Sequence, residues 1–149
     1  MDMKKPISIL LVCALLAGLL LAGGCAGVNK SVNAYINEQT EAALQAAEAY
    51  LNGETDAKTA HAAIQAVSED AAARRENGAL KDVLQKNAVS DAAFTAFEAR
   101  LQLLLSNFNH YLVMEASFEK GLIGEEELQK AAESQKTALQ AAVESIKGR

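Results

Sequence analysis

The only proline in the chain is Pro6, and none follows it through Arg149. Proline fixes its own φ, lacks an N–H and is the residue least compatible with a helix interior, so long uninterrupted helices are open to everything downstream. Residues 25–149 also hold 27 alanines, the best helix former. Alternating runs of Val, Ile and Thr, which would argue for strands, are absent. Glycines punctuate, at Gly53, Gly78, Gly121 and Gly124. The expected fold is all-α: a small antiparallel bundle of three to four helices, preceded by an N-terminal signal helix.

Apolar periodicity places the helices. Ser31 is a plausible N-cap for a first helix over about 31–52, with Val32, Ile36, Ala43, Ala47 and Tyr50 inward and Asn52-Gly53 as its stop. Thr55 or Asp56 can cap a second, burying Ala60, Ile64, Val67 and Ala71 until Asn77-Gly78 interrupts it. A short continuation carries Leu80, Val83 and Leu84. Ser90-Asp91 is the expected cap of a third helix, about 91–120, on which Phe94, Phe97, Leu101, Leu104, Phe108, Tyr111 and Phe118 recur at spacings of three and four, broken at Glu115. Of the 31 Val, Ile, Leu, Met, Phe and Tyr residues in 25–149, 14 lie between Phe94 and Ile123, so this helix is expected at the centre. Gly121 can end it and Ile123 can plug the core. Glu125, Glu126 and Glu127 then occupy the favourable first turn of a last helix, with Leu128, Ala132, Leu139, Ala142 and Ile146 inward.

Charge divides the chain in two. Pro6 to Asn29 holds no charged residue, whereas charges recur every few residues from Lys30 onward. The net charge is −5, and residues 25–149 carry −6 of their own. That balance, with no Trp, argues against nucleic acid, which calls for a basic face. Cys13 and Cys25 are the only cysteines, too few for a disulfide scaffold.

The front segment has the layout of an export signal: Lys4 and Lys5, the apolar run Ile7–Ala22, then the small residues Leu21-Ala22-Gly23-Gly24-Cys25. This ending resembles the lipobox of bacterial lipoproteins. The resemblance covers about the first 26 residues and departs from its strongest form in Ala22 at −3 and in Asp2. It implies cleavage between Gly24 and Cys25, a diacylglycerol on the Cys25 thiol and usually an acyl chain on its freed amine. The implied organisation is a signal peptide over 1–24, a lipidated cysteine and tether over 25–30, and a helical bundle domain over 31–149. Cys13 would be discarded with the signal. An uncleaved membrane anchor is the competing reading, since 24 uncharged residues can span a bilayer. Its strongly apolar part is only 16 residues long, however, and ends in Gly-Gly-Cys-Ala-Gly rather than in interfacial anchors. The implied location is the cell membrane or, where a second membrane exists, the outer one, with the body outside the cytoplasm.

Chemistry-bearing motifs are scarce. His61 and His110 lie on different expected helices and outside any metal-ligand spacing, so no metal and no cofactor are expected. A phosphate loop, a nucleophile elbow and a catalytic cysteine are all missing, and no enzymatic activity is expected. Arg74-Arg75 reads as a solvated face. The oddity is Asn107 and Asn109 flanking Phe108 in the most apolar helix. They form either a polar outer face or, with His110, the polar margin of a binding surface. Leu103, Val113 and Met114 add apolar groups off the main stripe, more than one seam needs. The candidate interaction face is therefore Leu103, Asn107, Asn109, His110, Val113 and Met114. Two functions follow. One is a non-enzymatic lipoprotein that engages an envelope protein. The other is a small-ligand or substrate-binding lipoprotein with an interhelical pocket lined by Phe108 and Tyr111.

Overall fold

A computed structural model describes residues 27–148; the signal segment, the cleavage point Gly24 and Cys25 lie outside the described residues. Five helices account for 87% of the described residues and no strand occurs among them, so the domain is all-α. They are α1 (Lys30–Leu51), α2 (Ala57–Glu76), α3 (Gly78–Lys86), α4 (Ala88–Glu119) and α5 (Glu125–Lys147). The count exceeds the expected three to four because the short segment after Gly78 is a helix in its own right.

Each helix begins and ends for a local reason. Asn29, not Ser31, caps α1: its Oδ1 accepts from the Ser31 backbone N–H at 2.9 Å and from the Ser31 hydroxyl at 2.6 Å. Asp56 caps α2 through Thr59 N–H at 2.7 Å. Asn87, not Ser90-Asp91, caps α4 through Ser90 N–H at 3.0 Å. The expected caps fell short because Asn serves the role as well as Ser, and here Asn stands upstream in both cases. Gly121, at φ +68°, ends α4 with its own N–H on Phe118 O and Leu122 N–H on Ser117 O. That pair of bonds satisfies carbonyls the helix would otherwise leave open. Glu127 opens α5 by accepting from Gly124 N–H at 2.9 Å.

The directions of α1, α2 and α4 follow from their contacts. Tyr35 and Tyr50 on α1 meet Phe94 and Phe108 on α4, so these two run parallel. Asp70 of α2 bonds Tyr35, and His61 of α2 lies against Phe108, so α2 runs the other way. Both α1 and α4 touch every other helix, so α4 shares the centre with α1. The core is Phe94, Phe97, Phe108, Leu101 and Leu104 set against Val32, Ile64, Leu139 and Val143. Alanines at 43, 47, 60 and 71 let the helices approach closely.

Four expected core positions fail. Phe118 is 39% exposed. A helix advances about 100° per residue, so a stripe at spacings of three and four drifts around it, and Phe118 lies about 120° from Phe94. Ile123 is half-buried and lies outside the core cluster. On α5 the buried stripe is Ala131, Gln135, Leu139, Ala142, Val143 and Ile146, one position off the expected Leu128 and Ala132.

The first described residues are also not a loose tether. Asn29 N–H donates to the buried Ser90 hydroxyl at 2.9 Å, and the Asn87 side chain donates to Gly27 O at 3.1 Å. The chain thus enters the bundle beside the start of α4. This end, the base, also holds the end of α2 and the whole of α3. The opposite end, the tip, holds the α1–α2 and α4–α5 turns.

Candidate functional site

The outward side of α4 arises because the partners of this helix cover only the side bearing Phe94, Leu101 and Phe108. Leu103, Asn107, His110 and Met114 follow at spacings of four, three and four, which lines them up along one stripe of the helix. Leu103 is 45% exposed and Val113, flanking the stripe, is 64% exposed. His110 and Asn109 are exposed, while Asn107 and Met114 are half-buried. Asn109 lies further around, so five of the six candidate residues share a surface and Asn109 only borders it.

The polar groups on this surface are largely turned back on their own helix. Asn107 Nδ2 donates to Leu103 O at 2.8 Å, Ser106 Oγ donates to the same carbonyl at 2.9 Å, and Ser117 Oγ to Val113 O at 2.8 Å. This explains how Asn107 is accommodated in a helix interior: its amide finds a backbone acceptor one turn back. The apolar side chains between these groups are left outward. Phe118 and Leu122, which is 72% exposed, extend the apolar surface to the tip. The periodic stripe had assigned Phe118 to the core, and only its angular drift could have shown otherwise.

The interior is filled at the place where the ligand-binding alternative puts its pocket. Phe108 is fully buried, edge-on to Tyr50 at 5.2 Å and to His61 at 6.4 Å between ring centres. Tyr111 is half-buried, and burial together with the nearby Glu115 carboxylate raises its pKa. Tyr50 OH donates to Gln135 Oε1 at 2.8 Å, and the Gln135 amide nitrogen has no hydrogen-bond partner among the described residues. Tyr50 titrates above its usual range chiefly because it is buried.

Two polar clusters outside the candidate face escaped sequence reasoning. Arg75 is half-buried and not a solvated residue: it bonds Glu98, Asp91 at 2.6 Å and Thr95 at 2.9 Å, and lies over the Phe94 ring at 5.1 Å. Arg74 remains on the surface, paired with Asp70 at 2.9 Å and lying over Tyr35 at 5.3 Å. The Tyr35 hydroxyl reaches the same carboxylate at 2.7 Å, and these bonds, Tyr35's first, hold Asp70 below its usual pKa. Among the described residues no group of three or more His, Cys, Asp or Glu is placed to hold a metal ion, and no helix is long and apolar enough to cross a membrane.

No family model matches the chain, and neither a curated protein nor a solved structure matches it significantly.

Proposed function

We propose that the chain is a cell-envelope lipoprotein, anchored through acyl chains on Cys25, whose helical bundle has a non-enzymatic role in binding an envelope protein. The anchor rests on the signal pattern ending in Gly24-Cys25. The observation that carries the binding role is the apolar strip on the outward side of α4, from Leu103 through the half-buried Met114 to Phe118 and Leu122 at the tip, with Val113 flanking it. Apolar side chains gathered on one surface favour association, whereas isolated ones are ordinary. The strip leads away from the end at which the chain leaves its signal segment, so an anchored bundle would present it to partners beyond the bilayer. Burial of Phe108 against Tyr50 and His61 weighs against the ligand-pocket reading.

Intact-mass measurement of the membrane-extracted protein tests the anchor. The expected species begins at an acylated Cys25. Cys25→Ser abolishes processing and Cys13→Ser does not. A chain that retains Met1 to Gly24 without modification would overturn the anchor. Val113→Glu, together with Met114→Glu, tests the binding surface. Cross-linked partner recovered from membranes should fall with the unfolding midpoint unchanged for Val113→Glu; unaltered recovery with both variants would dismiss the surface.

A further inference from the structure

Charge is segregated along the bundle axis. The base segments, 27–31 and 74–91, hold five basic residues against three acidic ones. The tip segments, 52–58 and 115–130, hold seven acidic residues against three basic. At the tip, Lys58 is committed to Glu115 and Glu119, and Lys130 to Glu126. At the base, Lys30, Lys81 and Lys86 have no ion-pair partner among the described residues. Lys81 and Lys86, with Arg75 and Gln85, line an open cleft of about 550 Å³ beside the start of α4. Next to it Val89 is 51% exposed and packs near Gly27.

The covalent chain places this basic end. Cys25 is two residues before Gly27, and two residues span at most about 7 Å. Gly27 is in turn bonded to Asn87, at the start of α4. An acylated Cys25 therefore holds Gly27, and with it the neighbouring Val89 and the chain around Asn87, close to the lipid surface, where the nearby Lys30 and Lys86 feel anionic head groups most strongly. From there α4 extends 32 residues, about 48 Å at 1.5 Å per residue, to the acidic tip.

We infer that the base of the bundle is a membrane-contact surface: Lys30, Lys81 and Lys86 engage the phosphates of anionic phospholipids, and Val89 enters the interface beside the anchor. This rests on the lipoprotein reading. The net negative charge of the whole domain does not oppose it, because 15 of the 18 carboxylates in residues 25–149 lie away from the base, seven of them at the far end. Repulsion of that end and attraction of this one act together to stand the bundle upright, with the strip on α4 clear of the lipid.

The chain has no Trp, so one introduced residue reports its own depth. Full-length Val89→Trp, Val113→Trp and Leu122→Trp proteins, extracted from membranes, are reconstituted in vesicles of phosphatidylcholine alone or mixed equally with phosphatidylglycerol, both with brominated chains. The expected result is quenching several-fold stronger at position 89 than at 113 or 122, and stronger with phosphatidylglycerol. Combining Lys30→Glu, Lys81→Glu and Lys86→Glu, or raising the salt, should remove most of the phosphatidylglycerol effect. Equal quenching at 89 and 122, or strongest quenching at 113, would overturn the inference while leaving the anchor intact. Intact mass of the same samples reports the anchor separately: an unacylated chain would defeat the lipoprotein reading and, with it, this one.

Discussion

The guanidinium of Arg75 and the carboxylate of Glu98 meet side by side, with Nε 3.0 and 3.1 Å and Nη2 2.8 Å from the carboxylate oxygens, joining α2 to α4. The fork geometry of arginine matches a carboxylate at two points, which a lysine cannot do. Asp91 accepts from Nη1 and Thr95 from Nη2, and the guanidinium lies over the Phe94 ring. Arg75→Ala is expected to cost about 1.5–3 kcal/mol in chemical denaturation, the range of charge-assisted hydrogen bonds. Arg75→Lys should recover only a minor part of the loss. A cost near zero for both would mean that the clamp contributes nothing to stability.

The Tyr50–Gln135 pair should behave asymmetrically. Gln135→Leu strands the Tyr50 hydroxyl in a buried site and should destabilise by about 1–3 kcal/mol. Tyr50→Phe with Gln135→Leu removes both polar groups, including the unpartnered amide nitrogen, and should be close to neutral or stabilising. A double-mutant cycle by urea unfolding measures the coupling, and purely additive costs would contradict it.

Core and surface aromatic residues on α4 should separate cleanly. Phe108→Ala is expected to cost about 3–5 kcal/mol and Leu104→Ala about 2–5 kcal/mol, because both side chains are fully enclosed. Phe118→Ala, on the same periodic stripe but partly exposed, should cost well under half as much as Phe108→Ala. Comparable losses at 108 and 118 would place Phe118 back in the core.

Alkaline pH should weaken the fold. Tyr35, Tyr50 and Tyr111 all hold their protons above the usual pKa of 10.0, chiefly because burial disfavours the phenolate; at Tyr35 the bond to Asp70 adds to this. Between ~10 and their folded values, the unfolded chain binds fewer protons than the folded one, so stability falls as pH rises through that window. Below ~10 the contribution is fully present. Urea unfolding from about pH 8 to about pH 11 should show the decline, and Tyr50→Phe should make it shallower. A flat profile in the parent protein would refute it.

Much of the fold was legible in the sequence because helix formation is local. The absence of proline after Pro6, the alanines, the Asp56 cap and the Gly121 stop act within a turn or two of themselves, and each operates as expected. The stripe from Phe94 to Phe108 was readable for the same reason, since spacings of three and four keep a short run on one side of a helix. The exposed places of Leu103 and Val113 were readable as surplus to that stripe.

What lies opposite a given face is not a local property. Whether Phe118 is covered depends on how far α4 turns and on where its partners lie. Whether Arg75 is solvated or clamped depends on carboxylates 16 and 23 residues away in the chain. The sequence by itself determined that this chain forms helices and where most of them stop, because backbone hydrogen bonds and caps join near neighbours. Only the tertiary structure decided which side of α4 is left bare, which arginine bridges helices, and that Lys30, Lys81 and Lys86 lie without ion-pair partners among the described residues at the end where the chain enters, because side chains distant in sequence meet only after the helices pack.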